Sequence, residues 1–280
     1  MFLDVRFGLD IGQHQLTWDE VLARTRLAED AGIDGVWVFD HFTALYGDPD
    51  GPCLEAWTLL AGLARETERI RLGTLVTGMT HRQPAVLAAE VVTVDHLSGG
   101  RVECAVGAGW NAEEHRELGI PFPSVKERAD RLEEGVQVLR ALFTGEGVSF
   151  EGAHHRLDGA TYRPLPVQRP NPPIWVGGNG RKRTIPTAGR YADAWHGWAD
   201  DENELREQLA ILDRAAEEAN RDPADILRAS SLSISEPWDE VKAAYEWMSG
   251  CGLGYLVIEW PSEGQARLET FLADVLPSLG

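Results

Sequence analysis

The residues best suited to chemistry stand at the ends of short apolar runs. Asp40 and His41 come directly after one such run, residues 36–39. A histidine titrates near neutral pH and can donate or accept a hydrogen bond, so it suits general acid–base work or contact with a heterocycle. A lone histidine is more often structural, but an adjacent aspartate at a strand end favours function. We therefore predict that His41 and Asp40 are catalytic.

A glycine-rich loop, residues 177–180, leads into three cations, residues 181–183, and a helical pattern. Glycines let the backbone approach an anion, and a helix N-terminus presents free N–H groups to it. An ordinary glycine-rich connection beside solvated bases is the alternative. We predict a phosphate site held mainly by the backbone N–H groups of residues 178–180. One or two of the cations would assist, and Arg82 is a further candidate.

A second loop, Gly107-Ala108-Gly109, follows another apolar run. Close approach of a ligand and a tight strand-to-helix turn explain these glycines equally well. Trp110 supplies either a ring wall or packing, and Asn111 offers an amide for a polar contact. The loop is a candidate cofactor contact.

Several other site types find no support in the sequence. His41, His81, His96 and His196 show no recognised metal-ligand spacing, so we predict no metal site. The chain has no nucleophile elbow and no P-loop, and its glycines do not complete a dinucleotide fingerprint. Hydrolysis through a serine nucleophile and classical NAD binding are therefore not supported.

Eight short apolar runs alternate with helical patterns along the chain. Each run is brief, rich in branched or aromatic residues and not alternating, as expected of a strand buried on both faces. The runs are residues 5–9, 36–39, 70–76, 102–106, 174–176, 194–198, 227–234 and 256–258. Eight strand–helix units predict an α/β fold, a (β/α)8 TIM barrel formed by residues 1–280 as one domain. In such barrels function lies at the C-terminal strand ends, where the residues above fall.

The interval between the fourth and fifth runs is too long for one helix. Residues 147–157 predict a small hairpin, and residues 162–173 carry five prolines and predict an extended arm. We interpret residues 144–173, approximately, as an inserted excursion, because they hold too few apolar residues for a separate core.

Charge and cysteine content limit the partners and the compartment. The net charge is −19 and the chain has three widely spaced cysteines. An acidic surface repels nucleic acids and anionic membranes, so neither is an expected partner. The cysteines predict neither a zinc site nor a disulfide framework. We expect a cytoplasmic location, since no signal-peptide pattern and no membrane-length apolar run occurs.

These motifs together point to a known family. The chain resembles the luciferase-like monooxygenase superfamily at residues 40–42, 72–84 and 95–102. Within that superfamily it resembles the F420-dependent oxidoreductases at residues 107–111 and 174–180, and again at residues 190–193. The similarity extends from about residue 6 to residue 199 and fades in the last third.

The resemblance implies a bacterial-luciferase-like barrel with a coenzyme lying across its C-terminal mouth. It implies a non-proline cis peptide at Leu75-Val76 that backs the coenzyme ring. The implied coenzyme contacts are Asp40, His41, Leu75, Val76, Thr77, Gly107, Ala108, Gly109, Trp110, Asn111, Gly177, Gly178, Asn179, Gly180 and Arg181.

The leading hypothesis is hydride transfer between coenzyme F420, a deazaflavin, and a small organic substrate. The alternatives are an FMN-dependent monooxygenase supplied by a separate reductase, and a cofactor-binding paralogue without catalysis. The sugar-phosphate dehydrogenases of this superfamily carry a glutamate and a tryptophan where this chain has Trp110 and, approximately, Leu45. Glucose 6-phosphate is therefore not the expected substrate. A homodimer is expected through residues 55–65 and 84–97.

Overall fold

A computed structural model of the protein describes residues 5–279, and its main sheet closes on itself. The strand order is β3-β2-β1-β11-β10-β9-β8-β5-β4, and β3 also pairs with β5. Because the short strand β4 continues the course of β3, the ring has eight strand positions, and all their pairings are parallel. The predicted (β/α)8 barrel is confirmed.

The elements follow the predicted alternation. The strands are β1 (Arg6–Asp10), β2 (Gly35–Val38), β3 (Arg71–Thr74), β4 (Thr77–Gly78), β5 (Val102–Gly107), β6 (Val148–Glu151), β7 (Arg156–Ala160), β8 (Ile174–Gly177), β9 (Ala194–His196), β10 (Leu227–Leu232) and β11 (Tyr255–Glu259). The helices are α1 (Trp18–Asp30), α2 (Ala56–Glu66), α3 (Pro84–Ser98), α4 (Ala112–Glu117), α5 (Val125–Thr144), α6 (Thr184–Tyr191), α7 (Glu202–Glu218), α8 (Trp238–Gly250) and α9 (Gln265–Thr270).

Local signals explain where the helices begin and end. Thr17 forms a capping box with Glu20, so two orphan N–H groups at the start of α1 are satisfied. Gly99 ends α3 in the left-handed conformation that glycine adopts without strain. Helix α4 was not predicted, because six residues are too few to show a helical period.

Large side chains fill the N-terminal half of the barrel interior. Trp37, Trp175 and Tyr255 pack against one another, with ring centroids 4.7 Å apart for the two tryptophans. The Trp175 indole donates to the buried Glu103 carboxylate at 2.8 Å, and Arg71 pairs with the same carboxylate. Because this end is filled, space for a ligand remains at the C-terminal ends of the strands.

The excursion between β5 and β8 has the predicted parts. Strands β6 and β7 form an antiparallel hairpin, and the following arm contains neither helix nor strand. Gln168 ties the arm to the barrel, since its amide donates to Asp95 and to the Val102 carbonyl, each at 2.8 Å. The arm therefore lies against the filled end of the barrel, away from the strand ends that carry the candidate site.

Helices α2 and α3, the expected dimer face, pack against each other on the outside of the barrel. Val86 on α3 is a large apolar side chain that stays 52% exposed. The homodimer remains a prediction. Among residues 5–279, none of the helices combines the length and apolar character needed to span a bilayer.

Candidate functional site

A cavity of about 1360 Å³ opens at the C-terminal mouth of the barrel. Every barrel strand contributes to its wall at or just beyond its end. One such residue from each position, in chain order, is Asp10, His41, Gly78, Gly107, Gly177, His196, Ser231 and Glu259. The cavity is large enough for an extended ligand of cofactor size.

Most of the predicted site residues meet in this cavity. Those that line it are Asp40, His41, Leu75, Val76, Gly107, Ala108, Gly109, Trp110, Asn111, Gly177 and Gly178. Thr77, Asn179, Gly180 and Arg181 are not part of the lining. Thr77 is buried and its hydroxyl accepts from the Trp57 indole at 2.9 Å, while the Asn179 side chain bonds the backbone of Trp198.

His41 is held by a buried carboxylate. Its Nδ1 lies 2.7 Å from Oε2 of Glu114, and both side chains are largely buried. The other carboxylate oxygen of Glu114 accepts the backbone N–H of Phe42 at 2.7 Å. Burial raises the pKa of Glu114, but these hydrogen bonds outweigh it and hold the pKa at about 2. The ionised carboxylate keeps the proton of a neutral His41 on Nδ1 and leaves Nε2 free to accept a proton.

Glu114 was not among the predicted site residues. The residue is 73 positions from its partner His41, and no local pattern encodes that contact. A usable signal was present, since Asn111 followed three residues later by glutamate resembles a helix start. The Asn111 side chain indeed caps α4 by accepting from the Glu114 N–H at 3.2 Å. That cap orients the short helix so that Glu114 faces His41.

Two more histidines extend the buried network. The His81 Nε2 lies 3.6 Å from Glu114 Oε2, and the His81 and His115 rings are 4.8 Å apart. Potential metal ligands on His81, Glu114 and His115 lie within 4.8 Å of one another. Both His115 nitrogens already have partners, the Asn111 carbonyl at 2.6 Å and the Thr80 hydroxyl at 2.7 Å. We therefore interpret His81 and His115 as buried rings packed beside the His41–Glu114 pair.

Asp40, predicted to be catalytic with His41, lies deeper than its neighbour. Its side chain is fully buried and forms an ion pair with Arg82, which also contacts Glu55 and Glu90. Burial raises the pKa of Asp40, although the adjacent guanidinium lowers it. Arg82 is thus occupied by three carboxylates and is not available to a coenzyme phosphate. Asp40 supports the wall below His41, and its catalytic role remains a prediction.

The titration of the site histidines gives a first test. Burial lowers the pKa of His14, His81 and His196 to about 4 each. We expect all three rings to stay neutral from pH 8 to pH 5 in NMR spectra of the imidazole nitrogens. Below pH 6.5 the unfolded chain would bind more protons than the folded one at these sites, so their contribution to stability decreases as the pH falls toward 4. Protonation of any of the three above pH 6 contradicts this.

Leu75 and Val76 form an apolar shelf in the cavity, joined by the predicted non-proline cis peptide. Glycines on both sides make room for the Val76 side chain. A Cβ at Gly107 would lie 2.7 Å from Val76 Cγ2, and one at Gly177 would lie 2.6 Å from Val76 Cγ1. Any larger residue at either position would displace Val76. An apolar shelf of this kind suits one face of a planar ring system, so the residues present suit the coenzyme that the family resemblance implies.

The loop after β8 is compatible with an anion, with one correction. Gly178 lines the cavity with φ +123°, but its N–H donates to the His196 carbonyl at 2.9 Å. The prediction that this N–H binds phosphate is therefore wrong. Within residues 5–279, the N–H groups of Asn179 and Gly180 have no hydrogen-bond acceptor. These two groups and the Thr184 side chain, which lines the cavity, are the remaining candidates.

Two of the three cations beside this loop, Arg181 and Arg183, are already paired. Arg181 contacts Glu207 at 2.7 Å and Glu204 at 3.4 Å. Arg183 contacts Asp130 at 2.6 Å. Their charges therefore offset acidic residues on neighbouring helices, and a contact of Arg181 with the coenzyme remains a prediction.

The opposite side of the mouth is acidic. Asp10 and Glu259 are register partners on β1 and β11, and both line the cavity. Burial raises the pKa of Asp10 to about 7, with Glu259 adding to the shift. Arg24 lines the same side, with its guanidinium 3.7 Å from the centre of the Trp260 ring and a hydrogen bond to the Ile11 carbonyl.

The fold and the site together define an α/β barrel with a large cavity at its mouth, next to a buried histidine–glutamate pair. The chain belongs to the luciferase-like monooxygenase family, whose family model matches residues 1–267.

Curated relatives and solved structures are similar over much of the chain. An F420-dependent hydroxymycolic acid dehydrogenase of Mycobacterium tuberculosis is 32% identical over 226 residues, which are 80% of this chain and 61% of that protein. An F420-dependent glucose-6-phosphate dehydrogenase of Kineococcus radiotolerans is 33% identical over an alignment of 308 positions, gaps included, that covers 90% of each protein. The structure of an F420-dependent secondary alcohol dehydrogenase with an F420-acetone adduct superposes with a TM-score of 0.88 at 22% identity, covering 99% of this chain and all of the other. At that identity the likeness concerns the fold.

Proposed function

We propose that this protein transfers a hydride between coenzyme F420 and a small organic substrate at the barrel mouth. The observation that carries the proposal is the placing of His41, fixed by Glu114 at 2.7 Å, in the same cavity as the Leu75-Val76 shelf. The chain is an F420-dependent oxidoreductase of the luciferase-like class, consistent with curated relatives named as F420-dependent dehydrogenases.

The chain's own residues supply the proton chemistry. When bound, F420 supplies a ring carbon that accepts or releases a hydride. The Nε2 of His41 accepts the substrate proton as the hydride leaves, or returns it in the reverse direction. The Glu114 carboxylate fixes the ring and stabilises the imidazolium that forms. The shelf formed by Leu75 and Val76 supports the coenzyme ring and keeps water from that face.

The side of the mouth formed by β1 and β11 disfavours a phosphorylated substrate. Asp10 and Glu259 line it, and a phosphate there would face two acidic groups. Arg24 also lines this side, where its guanidinium is stacked on Trp260 and bonded to the Ile11 carbonyl. These contacts support an uncharged substrate. Trp110 and Leu45 support it too, since they line the cavity at the places where the sugar-phosphate dehydrogenases of the superfamily carry a glutamate and a tryptophan.

The test is an anaerobic turnover assay with F420 and a panel of alcohols, carbonyl compounds and enones. We expect the absorbance of the oxidised coenzyme to fall with at least one alcohol, or that of the reduced coenzyme to be lost with a carbonyl or enone. A reaction that needs oxygen, FMN and a reductase would instead identify an FMN-dependent monooxygenase. Binding of F420 without turnover over the whole panel would identify a cofactor-binding paralogue.

The contacts at the shelf also predict how the coenzyme site responds to substitution. Gly177→Val pushes Val76 out of place, so we expect the Kd for F420 to rise at least about tenfold, or about 1.4 kcal/mol. Arg181→Glu changes an exposed arginine that is already paired with acids, so we expect less than about a threefold change. Isothermal titration calorimetry measures both.

Gly250→Val is the matched control, since a Cβ at Gly250 meets nothing within 4 Å. Wild-type affinity in Gly177→Val, or a large loss in Arg181→Glu alone, shows that the coenzyme lies closer to the cations than to the shelf.

A further inference from the structure

A second histidine, His14, faces the mouth cavity from the loop between β1 and α1. Its side chain is 8% exposed, and its ring packs against Phe39 with centroids 4.9 Å apart. His14 lines the same cavity as His41. Cys53 links the two histidines, since its Sγ lies 3.9 Å from His14 Nδ1 and donates to the His41 carbonyl at 3.5 Å.

The hydrogen bonds of His14 define which nitrogen carries the proton. Its Nδ1 accepts the backbone N–H of Leu45 at 3.1 Å and so must be unprotonated. Burial lowers the pKa of His14 to about 4, with His41 adding to the shift, so the ring is neutral at pH 7. Its single proton is then on Nε2. Within residues 5–279, this buried Nε2 has no hydrogen-bond partner. A buried donor in a cavity without an acceptor is a position that a ligand oxygen would satisfy.

The glutamines on either side hold His14 in place. The Gln13 side chain forms two hydrogen bonds with the backbone of Phe39. Its Oε1 accepts the Phe39 N–H at 2.9 Å, and its amide group donates to the Phe39 carbonyl. Gln15 donates to the carbonyls of Tyr46 at 2.8 Å and Asp48 at 2.7 Å. Both glutamines thus join the His14 loop to the segment that carries His41. These hydrogen bonds between glutamine side chains and the backbone fix the position of one histidine relative to the other.

We propose that His14 is a second substrate-binding histidine, whose Nε2–H donates a hydrogen bond to the substrate oxygen that exchanges its proton with His41. The two rings are complementary, because Glu114 makes the His41 Nε2 an acceptor while Leu45 makes the His14 Nε2 a donor. A hydroxyl satisfies both at once, donating to His41 and accepting from His14.

The inference rests on the proposed hydride transfer and selects an uncharged alcohol and its carbonyl product as the substrate pair. In oxidation, the carbinol C–H bond breaks and the hydride leaves with both electrons to F420. The O–H bond breaks, its proton moves to His41 Nε2, and the C=O bond forms. The His14 proton stays on Nε2 throughout and keeps its hydrogen bond to the oxygen. An isolated alkene has no oxygen for this pair to hold.

NMR spectroscopy tests the donor without turnover. In ¹⁵N-labelled protein at pH 7, we expect His14 as the Nε2–H tautomer and a neutral His41 as the Nδ1–H tautomer. Acetone, which only accepts hydrogen bonds, should shift the His14 Nε2 signal in protein saturated with oxidised F420, and isobutene of similar shape should not. An Nδ1–H tautomer for His14, or a signal that acetone does not move with or without F420, overturns the proposal.

Two variants test the role in turnover. His14→Phe keeps a ring but has no donor, and we expect kcat/KM for secondary alcohols to fall about tenfold or more while the Kd for F420 changes less than about twofold. His14→Gln retains an N–H donor and should keep most of the activity. The control is His155→Phe, which replaces a buried histidine of the hairpin.

The outcomes separate this inference from the proposed function. Normal alcohol oxidation by His14→Phe rejects the role of His14 and leaves the proposed function intact. Failure of the wild-type protein to bind F420 rejects the proposed function itself. If the wild-type protein shows the expected tautomers but His14→Phe and His14→Gln lose equal amounts of kcat/KM, His14 has a packing role. That result also overturns the proposal.

Discussion

We expect His41→Ala to lower kcat by about 10²- to 10⁴-fold, the range for loss of a general acid–base group. His41 is the cavity residue whose ring is fixed by an ionised carboxylate, through the 2.7 Å contact with Glu114. Removing it leaves the Leu75-Val76 shelf and the glycine loops unchanged, so the Kd for F420 should change less than about tenfold. Steady-state kinetics with the best alcohol from the substrate panel, together with coenzyme titration, measures both quantities.

Free imidazole provides the critical control for His41. The alanine variant has a space where the ring was, so added imidazole should restore part of its activity. In His41→Phe that space is filled, so added imidazole should restore no activity. His96→Ala, at an exposed position on α3, should behave like the wild-type protein. A His41→Ala enzyme that retains wild-type kcat shows that another group moves the proton.

The second large effect concerns stability. Arg82→Met should destabilise the fold by about 3–5 kcal/mol, because it leaves buried or half-buried carboxylates without their cation. The Arg82 guanidinium contacts Asp40, Glu55 and Glu90, and its own side chain is 9% exposed. Urea unfolding followed by circular dichroism measures the difference.

An exposed ion pair serves as the comparison for Arg82. Arg26 lies 2.8 Å from Glu66, with both side chains largely in solvent, so Arg26→Met should cost less than about 1 kcal/mol. Adding Asp40→Asn to Arg82→Met should recover part of the loss, because one unpaired buried charge is removed. If Arg82→Met is as stable as Arg26→Met, the buried network contributes nothing to the fold.

The sequence alone was sufficient to predict the barrel and most of the residues that line its mouth. Parallel strands covered on both faces have continuous apolar runs, which locate the strand ends and therefore Asp40, Gly107 and Gly177. The glycines were recognisable because they follow apolar runs, and the positive φ of Gly109 and Gly178 is a local requirement that favours glycine. The lack of room for a Cβ at Gly107 and Gly177 comes instead from Val76, which is distant in the chain.

Contacts between residues that are far apart in the chain could not be predicted from the sequence. The Glu114 carboxylate meets His41 across 73 positions, and the Arg181 guanidinium meets Glu207 across 26. A glutamate on a short helix and an arginine beside a glycine loop have the same appearance in sequence whether they face the ligand or each other. His14 was missed for a similar reason, since its role follows from the Leu45 N–H that meets its Nδ1.

Calorimetric titration of the purified protein with F420, and separately with FMN, tests the coenzyme assignment most directly. The Leu75-Val76 shelf and the loop after β8 predict a single coenzyme site with a Kd in the micromolar range or tighter for F420. The similarity to F420-dependent dehydrogenases predicts that F420 binds at least about tenfold more tightly than FMN. Gly177→Val should weaken that binding. Tight FMN binding with no detectable F420 binding contradicts the assignment.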